Sequence, residues 1–124
     1  MIAGAPFVAI VDKDKGVRRD ITRLLRAHGF RAQAYASAEA FLLRGRMDEP
    51  ACLLLDSALD ALSGMELLDR LKADGPSIPV IVMTAENDGS IRRSVLETGC
   101  SAYLQKPASA ELLLAAIADA TCGR

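Results

Sequence analysis

FVAIVDKDKGV, residues 7–17, passes from five apolar residues straight into aspartate, lysine and aspartate. An unbroken apolar run has no polar side to turn toward water. It therefore reads as a strand covered on both faces, the habit of parallel sheets. Four more short runs follow: RAQAY (31–35), CLLL (52–55), PVIVM (79–83) and AYLQ (102–105). The second is the least apolar and reads as an edge strand. Between the runs, apolar residues return at helical spacing. Val17, Ile21, Leu24 and Leu25 form one stripe, with Gly29 as its stop. Phe41 and Leu42 follow Ser37 as cap. Met65, Leu68 and Leu71 make a third stripe, and Ile91 and Val95 a fourth. Leu112, Leu113, Ala116 and Ile117 follow Ser109. Five rounds of strand then helix predict an α/β domain built on a parallel sheet, with helices on both faces.

The composition agrees. A chain of 124 residues suits one domain, 1–124, and 51% hydrophobic against 25% charged residues supply a core rather than disorder. The formal net charge of −1, with no basic block, argues against direct nucleic-acid binding by this domain. No apolar run nears the ~20 residues of a membrane span. The start, MIAGAPF, lacks the basic opening and long apolar core of a signal peptide. A cytoplasmic domain with no membrane contact is expected. Cys52, Cys100 and Cys122 are scattered without metal-ligand spacing, so they read as reduced thiols, with Cys52 buried. The single histidine, His28, closes the first helical stripe, where it suits the helix dipole, and is given no catalytic role.

In open sheets of this class, the site lies beyond the carboxyl ends of the strands, near the point where strand order reverses. There the first run is followed by Asp12, Lys13 and Asp14, the third by Asp56, the fourth by Thr84 and the fifth by Lys106. A lone aspartate after a strand is usually a turn former or helix cap. Acids, a hydroxyl and an amine converging from four strands suit phosphoryl transfer to a carboxylate. Asp56 is the candidate nucleophile. A divalent cation held by Asp12 screens the charge, and Thr84 and Lys106 bind phosphoryl oxygens.

This constellation resembles the receiver domain of two-component response regulators, the CheY-like family, over essentially the whole chain. The resemblance rests on Asp12 after the first strand, Asp56 in LLLDSALDALSGMELL, Thr84 in VIVMTA and Lys106 in YLQKP. SAEAFL and SGMELL are similar to receivers that precede helix-turn-helix domains in transcription factors of the FixJ/NarL type. The resemblance implies a flavodoxin-like (βα)5 fold, a doubly wound five-stranded parallel sheet of order 2-1-3-4-5. It implies Asp56 as phosphoacceptor, Thr84 as switch hydroxyl, Lys106 as phosphate-binding lysine and Tyr103 as switch aromatic. It implies Mg²⁺ held by Asp12, Asp56 and the backbone carbonyl of Ala58, with Asp14 as an additional candidate. The implied partners are a sensor histidine kinase and an output domain or effector protein. A homodimer through the face made by the fourth helix, fifth strand and fifth helix is a further implication. Such a domain is a phospho-accepting switch rather than an enzyme, at most catalysing its own phosphorylation and dephosphorylation.

The sequence departs from the family at Lys13, where a second acid usually follows the first strand. Asp12 and Asp56 then face Lys13 and Lys106, so the pocket is formally neutral, and including Asp14 adds only one negative charge. A unit charge at ~4 Å is worth ~4 kcal/mol at an effective dielectric of ~20, enough to weaken Mg²⁺ binding severely. Three readings follow. Lys13 turns to solvent and the domain phosphorylates with altered Mg²⁺ dependence. Its ammonium takes the cation's place beside Asp56. Or the domain is a phosphorylation-independent pseudo-receiver acting as a protein-interaction module. From another class, VAIVDKDKG also fits the opening motif of haloacid-dehalogenase-like phosphatases, with Asp12 as nucleophile and Asp14 as general acid-base. The acidic pair that this family needs after its lysine is missing beyond Lys106.

Overall fold

The computed structural model describes residues 7–43, 50–56, 78–84, 102–105 and 109–122. Five strands make the sheet: β1 (Phe7–Val11), β2 (Arg31–Tyr35), β3 (Cys52–Asp56), β4 (Val80–Thr84) and β5 (Ala102–Gln105). They lie in the order β2-β1-β3-β4-β5 and all four pairings are parallel. The weak run is indeed an edge. Three helices are described: α1 (Lys15–Ala27), α2 (Ala38–Leu42) and a C-terminal helix (Ala110–Cys122). The stripes at Met65–Leu71 and Ile91–Val95 lie outside the described residues.

The continuous apolar strands are explained by burial on two sides. Ala9, Val11, Leu53, Leu55, Val80 and Val82 point to one face, where Ala38 and Phe41 of α2 cover them. Val8, Ile10, Cys52, Leu54, Ile81 and Met83 point to the other, beneath Leu25 of α1 and Leu113 and Ile117 of the C-terminal helix. The period of two along each strand divides the run between two cores. Phe41 also meets Tyr35 edge-on, with ring centroids 5.4 Å apart. Of the predicted C-terminal stripe, Leu113 and Ile117 face inward and Leu112 does not, being 59% exposed. Leu112 is one residue out of phase with Leu113, Ala116, Ile117 and Ala120, which pack on the sheet.

Two runs also extend one residue beyond their apolar ends. Asp56 and Thr84 are the last residues of β3 and β4 rather than loop residues after them. The ladder holds them there, Asp56 opposite Met83 and Thr84 opposite Gln105.

The helix ends follow the expected chemistry. Ser37 Oγ accepts from the Ala40 amide at 3.0 Å, and Ser109 Oγ accepts from the Leu112 amide at 3.1 Å. Helix α1 ends at His28, whose Nδ1 lies 3.0 Å from the Leu24 carbonyl oxygen. Gly29 follows at φ +88°, a left-handed conformation that glycine takes without penalty. The Gly29 amide then donates to Arg26 O and the Phe30 amide to Leu25 O, the two bonds of a Schellman cap. Cys52 is buried as expected. Desolvation pushes its thiol up to about 12, although the Leu53 backbone opposes the shift, so it is an inert core residue.

Candidate functional site

The sheet order creates the site. After β1 the chain steps to the edge to form β2, then returns across β1 to form β3. The crevice at this reversal opens beyond the carboxyl ends of β1 and β3. The register places Val11 beside Leu55, so Asp12 and Asp56 are the next residues on the two strands that flank the crevice. On the far side of β3, Asp56 pairs with Met83, and Thr84 is one step further along β4.

Asp12, Asp56 and Thr84 are buried, at 0%, 4% and 1% exposure, and they are the buried polar or charged residues among those described. Among the described residues, the core has admitted these three polar groups at adjoining strand ends. Burying a carboxylate is costly unless it is bonded or coordinated, so such a cluster marks a working place rather than a packing choice. Both carboxylates supply hard oxygen donors of the kind that magnesium takes.

The stretch Asp12–Lys13–Asp14 is divided by the fold. Asp12 is held from three directions. Its amide donates to Tyr35 O at 3.1 Å, extending the β1–β2 ladder. Its Oδ1 accepts from the Asp14 amide at 2.9 Å. Its carbonyl oxygen accepts from Arg18 Nη1 at 2.7 Å. Lys13 is exposed at the bend that follows. Asp14 is exposed too and serves as the N-cap of α1, its Oδ1 accepting from the Gly16 and Val17 amides at 2.8 and 3.2 Å. A side chain on residue 16 would place Cβ 3.2 Å from that oxygen, so glycine leaves the cap room. Among the described residues no three acids, histidines or cysteines gather as a metal cluster, and Asp14 is occupied with the helix start.

Sequence reasoning missed both duties of this turn. The cap had a signal, an aspartate directly before the first residues of a helical stripe. The bond from Arg18 to the Asp12 carbonyl had none, because it depends on how α1 leaves the strand. Of the remaining predicted site residues, Lys106 and Ala58 lie outside the described residues. Tyr103 is placed by its backbone in β5, opposite Val82.

Residues 8–118 match the family described as the response regulator receiver domain, and the chain belongs to that family. It is 33% identical to the transcriptional regulatory protein FixJ of Azorhizobium caulinodans over 117 residues, 94% of this chain and 55% of that protein. It is 35% identical to the response regulator MprA of Mycobacterium leprae over 111 residues, 89% of this chain and 48% of that protein. The chain thus spans about half the length of the curated relatives it matches. Among solved structures, a response regulator receiver protein from Burkholderia phymatum superposes with a TM-score of 0.83 at 36% identity. That match covers 94% of this chain and 95% of that one. Among the described residues, no helix is long and apolar enough to cross a membrane.

Proposed function

We propose that residues 1–124 form a single cytoplasmic receiver domain of complete (βα)5 layout. In this reading it takes a phosphoryl group on Asp56 from a sensor histidine kinase and passes the signal to an output domain or effector protein. The burial of Asp12, Asp56 and Thr84 together at adjoining strand ends carries this reading.

A carboxylate oxygen of Asp56 attacks phosphorus, the bond from phosphorus to the donor histidine breaks, and the histidine leaves with the bonding electron pair. Thr84, one register step away, donates its hydroxyl to a phosphoryl oxygen, and Lys106 supplies a second, charged donor. Tyr103 follows Thr84 and alters the face of the fourth helix, fifth strand and fifth helix, through which two copies pair. Receiver domains generally bind Mg²⁺ at the phosphorylation site. Asp12, Asp56 and the carbonyl of Ala58 are the groups that would hold it, and its contribution is to neutralise charge between the carboxylate and the incoming group. Arg18 and the Asp14 amide keep Asp12 in place. Lys13, on the exposed side of the bend, weakens the cation's hold without removing the nucleophile.

The phosphatase reading makes Asp14 a general acid-base, whereas its carboxylate caps α1, so the receiver reading is preferred. Intact mass after incubation with a small-molecule phosphodonor tests it. A single phosphate adduct is expected in wild type and none in Asp56→Ala. An adduct that survives Asp56→Ala and disappears in Asp12→Ala would support the phosphatase instead.

A further inference from the structure

Helix α1 carries five cations, Lys15, Arg18, Arg19, Arg23 and Arg26, and one acid, Asp20, a local net of +4 in a chain whose net charge is −1. All five cations line one open cleft of about 520 Å³, completed by Thr22 and by Ala34 of β2. From Lys15 to Arg26 the row runs for about 16 Å of helix. Two of its guanidiniums are fixed by backbone acceptors, Arg18 on Asp12 O at 2.7 Å and Arg26 on Ala32 O at 3.0 Å. A carbonyl orients a cation without cancelling its charge. Arg19 has an exposed contact with Asp20 at 3.7 Å. Lys15 and Arg23 form no ion pair with a described residue.

We propose that this cleft between α1 and β2 binds the phosphate backbone of nucleic acid. Guanidinium forks match phosphate oxygens in pairs, and the Thr22 hydroxyl adds a neutral donor. No aromatic residue lines the cleft, so its contacts go to phosphates rather than to stacked bases, and binding is independent of sequence. A small anion is a poorer fit, since such ligands favour enclosed pockets and this cleft lies open along the helix. An acidic protein must present carboxylates in register with the row. A duplex carries a charge every ~1.7 Å of its axis and meets the row in any register. The whole-chain charge argued against this binding because it averages a segregated basic face with an acidic remainder.

Fluorescence anisotropy of a short labelled DNA duplex, titrated with the full chain, tests the proposal. About four phosphate contacts predict an affinity that falls roughly 100-fold between ~50 and ~200 mM salt. Lys15→Gln with Arg23→Gln is expected to weaken binding at low salt by about tenfold. Arg31→Gln, whose guanidinium lies over the Phe7 ring outside the cleft, is expected to change it less than about twofold. Failure to bind at low salt would overturn the proposal, as would equal losses in the two variants. Displacement of the duplex by inorganic triphosphate at matched phosphate concentration would assign the cleft to a small oligophosphate. Displacement by polyglutamate at matched charge would assign it to an acidic protein. Either displacement would overturn the proposal. Its failure leaves the receiver reading untouched, because no cleft residue forms the phosphoacceptor.

Discussion

Two charged regions lie on either side of one short turn, and they are built in opposite ways. At the sheet rim, Asp12 and Asp56 are buried where β1 and β3 end. Along α1, Lys15, Arg19, Arg23 and Arg26 stand in the open on a helix whose packing is done by Leu25 and its neighbours. Arg18 joins the two, reaching from the cationic helix to the carbonyl of the buried aspartate. In the first region the backbone ladder sets the position of the charge, so its chemistry is tied to the fold. In the second the fold supports a surface, and the charges of Lys15, Arg19 and Arg23 can change without loss of structure, whereas Arg26 also ties α1 to the Ala32 carbonyl of β2.

The largest effect is expected in the core strand that carries Asp56. Leu54 is fully buried in β3, two residues before Asp56, and packs with Leu25, Leu113 and Ile117. Leu54→Ala should cost about 2–5 kcal/mol of unfolding free energy in a urea titration, since the removed side chain leaves a cavity under both core helices. A loss below about 0.5 kcal/mol would mean that β3 is not the central strand of a packed core. The joint between the regions should matter less. Asp14→Ala removes one cap and should cost about 1 kcal/mol in the same titration, because two amides of the first turn of α1 lose their acceptor. If Asp14→Ala instead abolished phosphorylation while leaving stability unchanged, Asp14 would belong to the site and not to the helix.

The rim was legible in the sequence because a parallel sheet converts position in the chain into position in space. Each apolar run ends at the same edge, so the residues after the runs are neighbours even though they are far apart in sequence. That logic found Asp12, Asp56 and Thr84. It misjudged the strand ends by one residue at Asp56 and Thr84, because apolarity stops before the ladder does. It placed Leu112 on the inner face because a stripe of neighbouring leucines does not fix helix phase. The cationic cleft was illegible for a different reason. Lys15, Arg19, Arg23 and Arg26 recur at helical spacing. Their shared direction becomes a cleft only once α1 lies against β2, which Ala34 marks. Summing charge over the chain then hid it.

The position that ties these observations together is Lys13, exposed between a buried acid and a capping acid. In the proposed function this lysine weakens the cation's hold while Asp56 remains reactive. The direct test is a Mg²⁺ titration of the phosphorylation rate, read by intact mass, in wild type and Lys13→Asp. Adduct formation is expected in both, with half-maximal rate in Lys13→Asp at a Mg²⁺ concentration lower by at least about tenfold, the equivalent of ~1.4 kcal/mol. Identical Mg²⁺ dependence in the two proteins, or an adduct that forms only in Lys13→Asp, would contradict it.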